Sequence, residues 1–161
     1  MKKYITFYVG NELLGIDVLR VQEINLPLEF TITPLPKSPL FLKGILNLRG
    51  KLVPIIDLRQ RFLLEHSDPS LHDPRLKISG TSLSGEWDDK TRIIITKFPD
   101  RLIGVVVDRV SDVQEIIENK IEPPPVTVSG IDAAYIEGIY KLQERLVTFL
   151  NIDKIVLSVK C

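Results

Sequence analysis

Cysteine, methionine and tryptophan each occur once in 161 residues and histidine twice. The lone cysteine is Cys161, the last residue, so no internal disulfide forms and a reducing compartment suits the chain. It offers no catalytic thiol. A bilayer-spanning helix needs about 20 apolar residues, and runs such as Val105 to Val107 fall far short, so any membrane association is expected to be indirect. Lys2 and Lys3 before Tyr4 to Val9 faintly resemble an export signal, but Gly10, Asn11 and Glu12 interrupt it before an apolar core accumulates. A cytoplasmic location is therefore expected. Neither sign of charge prevails, since 21 Lys and Arg balance 21 Asp and Glu. Without a basic field, counterion release on a polyanion is not the main source of binding energy. A GxSxG elbow, a glycine-rich phosphate loop and a Cys/His pairing are all missing too, so no enzyme and no cofactor are expected.

What is present is matter for a core. Hydrophobic residues make up 44% of the chain, ordinary for a globular protein, and the length suits one domain or two small subdomains without metal or disulfide staples. The sharpest patterning lies in Lys43 to Phe62, which reads as strands. Leu46 and Leu48 fall on one side of an extended chain and Asn47 and Arg49 on the other. Gly50 supplies the positive φ of a short hairpin, and Leu52 to Leu58 continues as a second strand, with Pro54 demanding a bulge or an edge placement. The turn displays Arg49, whose planar guanidinium suits a bidentate grip on a carboxylate.

Other strands follow along the chain. Tyr4 to Val9 and Leu13 to Asp17 flank a turn at Gly10 to Glu12, and Thr91 to Phe98 and Arg101 to Asp108 flank Pro99-Asp100. Ile136 to Leu142 and Leu146 to Leu150 make another hairpin, and Asn151 caps a short helix over 152–158. Val18 to Ile24 is compatible with helix or strand. A helical turn is expected after Pro39 within Leu40 to Ile45, whereas Val126 to Tyr135 reads as irregular. Seven or more short strands without strand-helix alternation predict an all-β protein, built as a barrel or a pair of barrels.

Three clusters invite a chemical reading. Glu65 to Asp89 forms a long loop holding Trp87 and both histidines, and His66, Asp68, His72 and Asp73 are of metal-ligand types, but without a rigid frame no metal site is expected. Asp57 with Arg59, and Asp108 with Arg109, read as ion pairs rather than acid-base machinery. Five basic residues, Lys43, Arg49, Lys51, Arg59 and Arg61, face only Asp57 within 43–62. A nucleic-acid-binding barrel would want that patch interleaved with aromatics, and only Phe62 is there.

NLRG at Asn47 to Gly50 followed by VPIIDLR at Val53 to Arg59 resembles the signature of the CheW family of bacterial chemotaxis coupling proteins. GIDVLRVQEI (15–24), IGVVVDRVSDV (103–113), IEPPP (121–125) and YIEGIYKLQERLVTFLNIDKI (135–155) extend the resemblance in family order over nearly the whole chain. It implies two five-stranded SH3-like barrels packed around a shared core, about 10–65 and 90–150, with 66–89 as the loop between them, a helix over 151–161, and terminal strands free to cross between barrels. The implied function is a non-enzymatic adaptor coupling methyl-accepting chemoreceptors to a CheA-type histidine kinase, with no nucleic acid as partner. Val21, Glu23, Lys43 and Arg49 match kinase-contact positions, and Ile94, Gly104 and Val113 match positions that grip the receptor tip. Glu122 stands where the family commonly has an arginine before the prolines.

Overall fold

The computed structural model describes residues 1–65, 87–124, 127–128 and 131–156. Strands β1 (Lys2–Val9) and β2 (Glu12–Asp17) form the opening hairpin, with β13 (Arg145–Leu150) parallel to β2 on one side and β9 (Arg109–Ile116) antiparallel to β1 on the other. β12 (Ile136–Leu142) pairs with β13 and completes a five-stranded sheet in the order β12-β13-β2-β1-β9. Reciprocal backbone bonds of 2.8 Å between Glu122 and Ile139 tie the chain beyond β9 back to β12 and round the sheet into a small barrel.

The second sheet runs β3-β7-β8-β6-β5-β4, from β3 (Val21–Asn25), β7 (Arg92–Lys97), β8 (Leu102–Val107), β6 (Lys51–Asp57), β5 (Leu42–Leu48) and β4 (Ile32–Thr33). The two-residue β4 makes this SH3-like barrel six-stranded rather than five-stranded. Each barrel draws on both halves of the sequence, so strand membership departs from the expected division at 66–89. β7 and β8 join the strands of 21–57, while β1 and β2 join those of 109–150. The parallel β6-β8 pair requires this, because parallel neighbours need a long crossover.

Period-two alternation distributes the side chains among three cores. Ile93, Ile95, Leu102, Val106, Val53 and Ile55 fill the six-stranded barrel, with Trp87 packed against them. Tyr4, Leu13, Ile116, Val147 and Phe149 fill the five-stranded one, Tyr4 stacking on Phe149 at 4.0 Å. The alternate residues Ile94, Ile103, Val105, Val107 and Ile56 meet Phe7, Leu14 and Ile16 in the core the barrels share. Each such fully buried side chain is worth about 1.5–3 kcal/mol. β8 is buried on both faces and forms the wall between two of these cores.

Several local expectations give way. Residues 58–62 are helical, not extended: the Asp57 carboxylate accepts from the Arg59 N–H at 2.9 Å and starts α1 (Leu58–Glu65) as an N-cap does. After Pro39 the chain makes only a turn, Leu42 N–H to Pro39 C=O at 3.0 Å, before β5 begins. Within Val126 to Tyr135, expected to be irregular, the described residues form a ribbon of β10 (Thr127–Val128) and β11 (Ile131–Asp132) and a helical turn at Ala133–Tyr135 capped by Asp132. Val18 to Ile24 splits into a helical turn at Val18–Arg20 and the start of β3. Pro54 lies in β6 beside Ile45 of β5, just before the pairing with β8 begins at Ile55, so its missing N–H spoils no bond on that side. Asn151 caps α2 (Ile152–Ile155) as expected, accepting from the Lys154 N–H at 3.3 Å.

Candidate functional site

Three turns gather at one end of the six-stranded barrel: the start of β3, the β5-β6 turn and the β7-β8 turn. Leu48 pairs with Lys51, leaving a two-residue loop in which Arg49 (φ +51°) and Gly50 (φ +90°) both take positive φ. That is the primed geometry whose twist matches a hairpin, and the Asn47 carboxamide oxygen holds it through the Gly50 N–H at 2.9 Å. The carboxylate that Arg49 grips here belongs to its own chain. Its guanidinium is hydrogen-bonded to both oxygens of Glu23 on β3, and Asn25 Nδ2 donates to the same carboxylate at 3.1 Å. The Arg49 hydrogen bond, then that of Asn25, holds the Glu23 carboxyl below its usual range.

Register places Leu52 beside Asn47 on the outer face, where it is 67% exposed. A groove of about 500 Å³ runs past it, walled by Gln22, Lys51, Lys97, Phe98 and Arg101. Sequence reasoning placed Leu52 in the second strand of this hairpin and did not single it out as an exposed apolar residue. The signal was there, because a two-residue loop at Arg49-Gly50 puts 52 on the same wet side as Asn47.

The named residues divide. Val21, Glu23 and Arg49 come together at this barrel end, with Val21 half-buried against the shared core. Lys43 does not join them. It sits at the far end of β5, 7% exposed, where its charge is felt by Asp57. Burial pushes the Asp57 carboxyl above its ordinary value, while Lys43 and the N–H groups of Arg59 and Gln60 pull it back. Ile94 is fully buried in the shared core, and Gly104 lies where a Cβ would stand 2.6 Å from Ile55 Cδ1 and 2.8 Å from Ile93 Cγ2. Val113 alone of the receptor set reaches solvent, at 55% exposure on the other sheet. Glu122 is exposed, its backbone engaged by Ile139.

The basic stretch of 43–62 is dispersed by folding. Lys43 and Arg61 are buried, Arg61 between the Phe41 and Tyr135 rings at 4.7 and 5.1 Å, and Arg59 pairs with Asp108 across the chain. Phe62 is buried as well, so the patch has no stacking platform for bases. Asp57 and Asp108 both hold backbone, Asp57 at α1 and Asp108 through the Gly10 N–H at 2.6 Å. Among the described residues no group of three His, Cys, Asp or Glu could hold a metal ion, and no helix is long and apolar enough to cross a membrane. His66, Asp68, His72 and Asp73 lie outside the described residues.

Comparison with known proteins gives a consistent picture. The family model of the CheW-like domain matches residues 3–160. The chemotaxis protein CheW of Klebsiella aerogenes is 35% identical over 157 residues, covering 98% of this chain and 82% of that protein. Protein FrzA of Myxococcus xanthus is 29% identical over 161 residues, covering 96% and 84%. The crystal structure of the scaffolding protein TtCheW from Thermoanaerobacter tengcongensis superposes with a TM-score of 0.74 at 35% identity, covering 94% of this chain and 84% of that one.

Proposed function

The chain belongs to the CheW-like family, and from that membership we propose that it is a non-enzymatic chemotaxis coupling protein that holds methyl-accepting chemoreceptors and a CheA-type histidine kinase in one cytoplasmic complex. The observation that carries the reading is the family match across residues 3–160. The geometry supports it in a particular way. Arg49 occupies a positive-φ position that glycine would fill with less strain, so its side chain rather than its backbone preference accounts for it. Paired with Glu23, it stiffens a barrel end that offers the apolar Leu52 beside a groove, the kind of surface on which an exposed aliphatic residue with a polar rim docks protein. Kinase contact is assigned to this end through Val21, Glu23 and Arg49, with Lys43 acting from the interior, where its charge favours the ionised form of Asp57.

Receptor contact is assigned to the side bearing Val113, with Ile94 and Gly104 shaping the packing behind it. Holding two partners on one rigid body raises the effective concentration of each for the other, and no bond need be made or broken by the adaptor. The test is capture of the cognate CheA-type kinase by the parent protein and by Arg49→Ala, Glu23→Ala and Leu52→Ala, each first shown to melt as the parent does. Weaker capture by all three supports the assignment. Equal capture by all three removes this end as the kinase surface, and Val113→Glu examined with receptor-bearing membranes addresses the other contact in the same way.

A further inference from the structure

The five-stranded barrel carries, at the end where β1 turns into β2, a cluster that the docking reading leaves unused. Tyr8 sits half-buried near the end of β1. The guanidinium carbon of Arg109, its cross-strand partner on β9, stands 4.2 Å from the ring centroid, and that of Arg145, from the start of β13, stands 5.0 Å away. Arg145 also donates from Nη1 to the Tyr8 hydroxyl. The ring attracts each cation, but the two cations repel one another. Nearby acids are engaged elsewhere: Asp108 accepts from the Gly10 N–H and from Arg59, and Glu115 pairs with Lys3. Among the described residues neither Arg109 nor Arg145 has a carboxylate partner, and both are exposed.

A guanidinium already held against an aromatic ring loses less freedom when its N–H edge takes a carboxylate in two parallel hydrogen bonds. We propose that Arg109, Tyr8 and Arg145 form a site for neighbouring carboxylates on an acidic segment of a protein partner. The charge around the site favours a short acidic segment over an extended polyanion. The chain is neutral overall and Asp112 and Glu144 lie near the two arginines in sequence, so beyond the two guanidiniums there is no basic field along which a nucleic acid or an anionic membrane could be held.

The test titrates the full-length isotope-labelled protein with a hexaglutamate peptide, and in a second arm with inorganic phosphate at equal ionic strength, following the Nε–H signals of both arginines and the Tyr8 ring. Saturable shifts with the peptide and none with phosphate at the same concentration are expected. Peptide affinity should fall about tenfold in Arg109→Ala or Arg145→Ala, and less in the lysine variants, which keep the charge and the fold but lose the two-pronged grip. Unshifted signals, unchanged affinity in the doubly substituted alanine protein, or equal shifts from phosphate would each overturn the proposal.

Discussion

Gly104 offers the sharpest check on the packing account, because two explanations of the same residue predict different measurements. It lies on β8 facing the interior of the six-stranded barrel, and its φ is not in the left-handed region, so alanine meets no backbone objection there. The objection is space. An added Cβ would stand 2.6 Å from Ile55 Cδ1 and 2.8 Å from Ile93 Cγ2, and the second neighbour belongs to a β-branched side chain on the adjoining strand, stiff at χ1. Overpacking of this kind costs about 1–3 kcal/mol, against which the smaller entropy of the unfolded alanine chain returns about 0.4–1. Gly104→Ala should therefore destabilise by about 1–2 kcal/mol, lowering Tm by roughly 2–8 °C for a chain of this length. Ile55→Val removes the very methyl that clashes, so the double variant should be more stable than the sum of the two single changes predicts. Urea unfolding of the four proteins measures this. Additive effects, or a Gly104→Ala protein as stable as the parent that still loses a partner, would refute the reasoning and make Gly104 a contact residue in its own right.

Arg20 bonds Asp153 through both oxygens at 2.8 and 3.0 Å, donates to the Lys97 carbonyl at 3.1 Å and lies over the Phe98 ring, so Arg20→Ala should cost about 1–2 kcal/mol in urea unfolding. The Arg20 hydrogen bond holds the Asp153 carboxyl below its ordinary 3.8. That part of the stability is present above the unfolded value and lost as pH falls through the lower folded one, so the gap between parent and variant should narrow only in strong acid; a gap that closes near neutrality contradicts this. Asp57 has the opposite sign. Its folded value is raised by burial, so between 3.8 and that raised value the native state binds more proton and stability falls as pH rises. Asp57→Asn keeps a capping side chain and should flatten this slope, and an unchanged pH profile would rule the carboxyl out as its source.

The local signals in the sequence are strong where neighbours in space are neighbours in the chain. The hairpins β1-β2, β7-β8 and β12-β13 follow from alternation and turn residues, and Asn151 announces α2. What is not legible is pairing at a distance. The parallel contacts β6-β8 and β2-β13 join segments dozens of residues apart and leave no mark on either segment alone. The site inherits this limit. Arg49 is conspicuous on its turn, yet the partner that holds it, Glu23, lies on a strand whose position depends on β7 reaching β3. Lys43 reads as a surface cation because lysine usually is one. Only the placement of Asp57 at the start of α1 shows why it is drawn inward. Asp108 likewise looks tied to adjacent Arg109, but the fold gives it Arg59 and leaves Arg109 to the Tyr8 ring.

The interleaved topology bears on how an adaptor of this shape can work. Had each barrel been a continuous half of the chain, the two could rock about a linker and dock their partners independently. Here the chain passes from one barrel to the other between β2 and β3, again between β8 and β9, and the residues of β8 that face away from its own barrel pack on Phe7, Leu14 and Ile16 of the other. The six-stranded barrel is inserted between β2 and β9 of the other, and opening either one strips the cover from the core they share, so the molecule should unfold as one cooperative unit. Trp87 makes this measurable, being the single tryptophan and packed against the core of the six-stranded barrel alone. Its fluorescence reports that barrel, and the near-ultraviolet signal of Tyr4 stacked on Phe149 reports the other. Coincident urea transitions from the two probes are expected. Separated midpoints would mean that the shared core does not lock the barrels together, and the fixed spacing between docking surfaces on which geometric coupling relies would be lost with it.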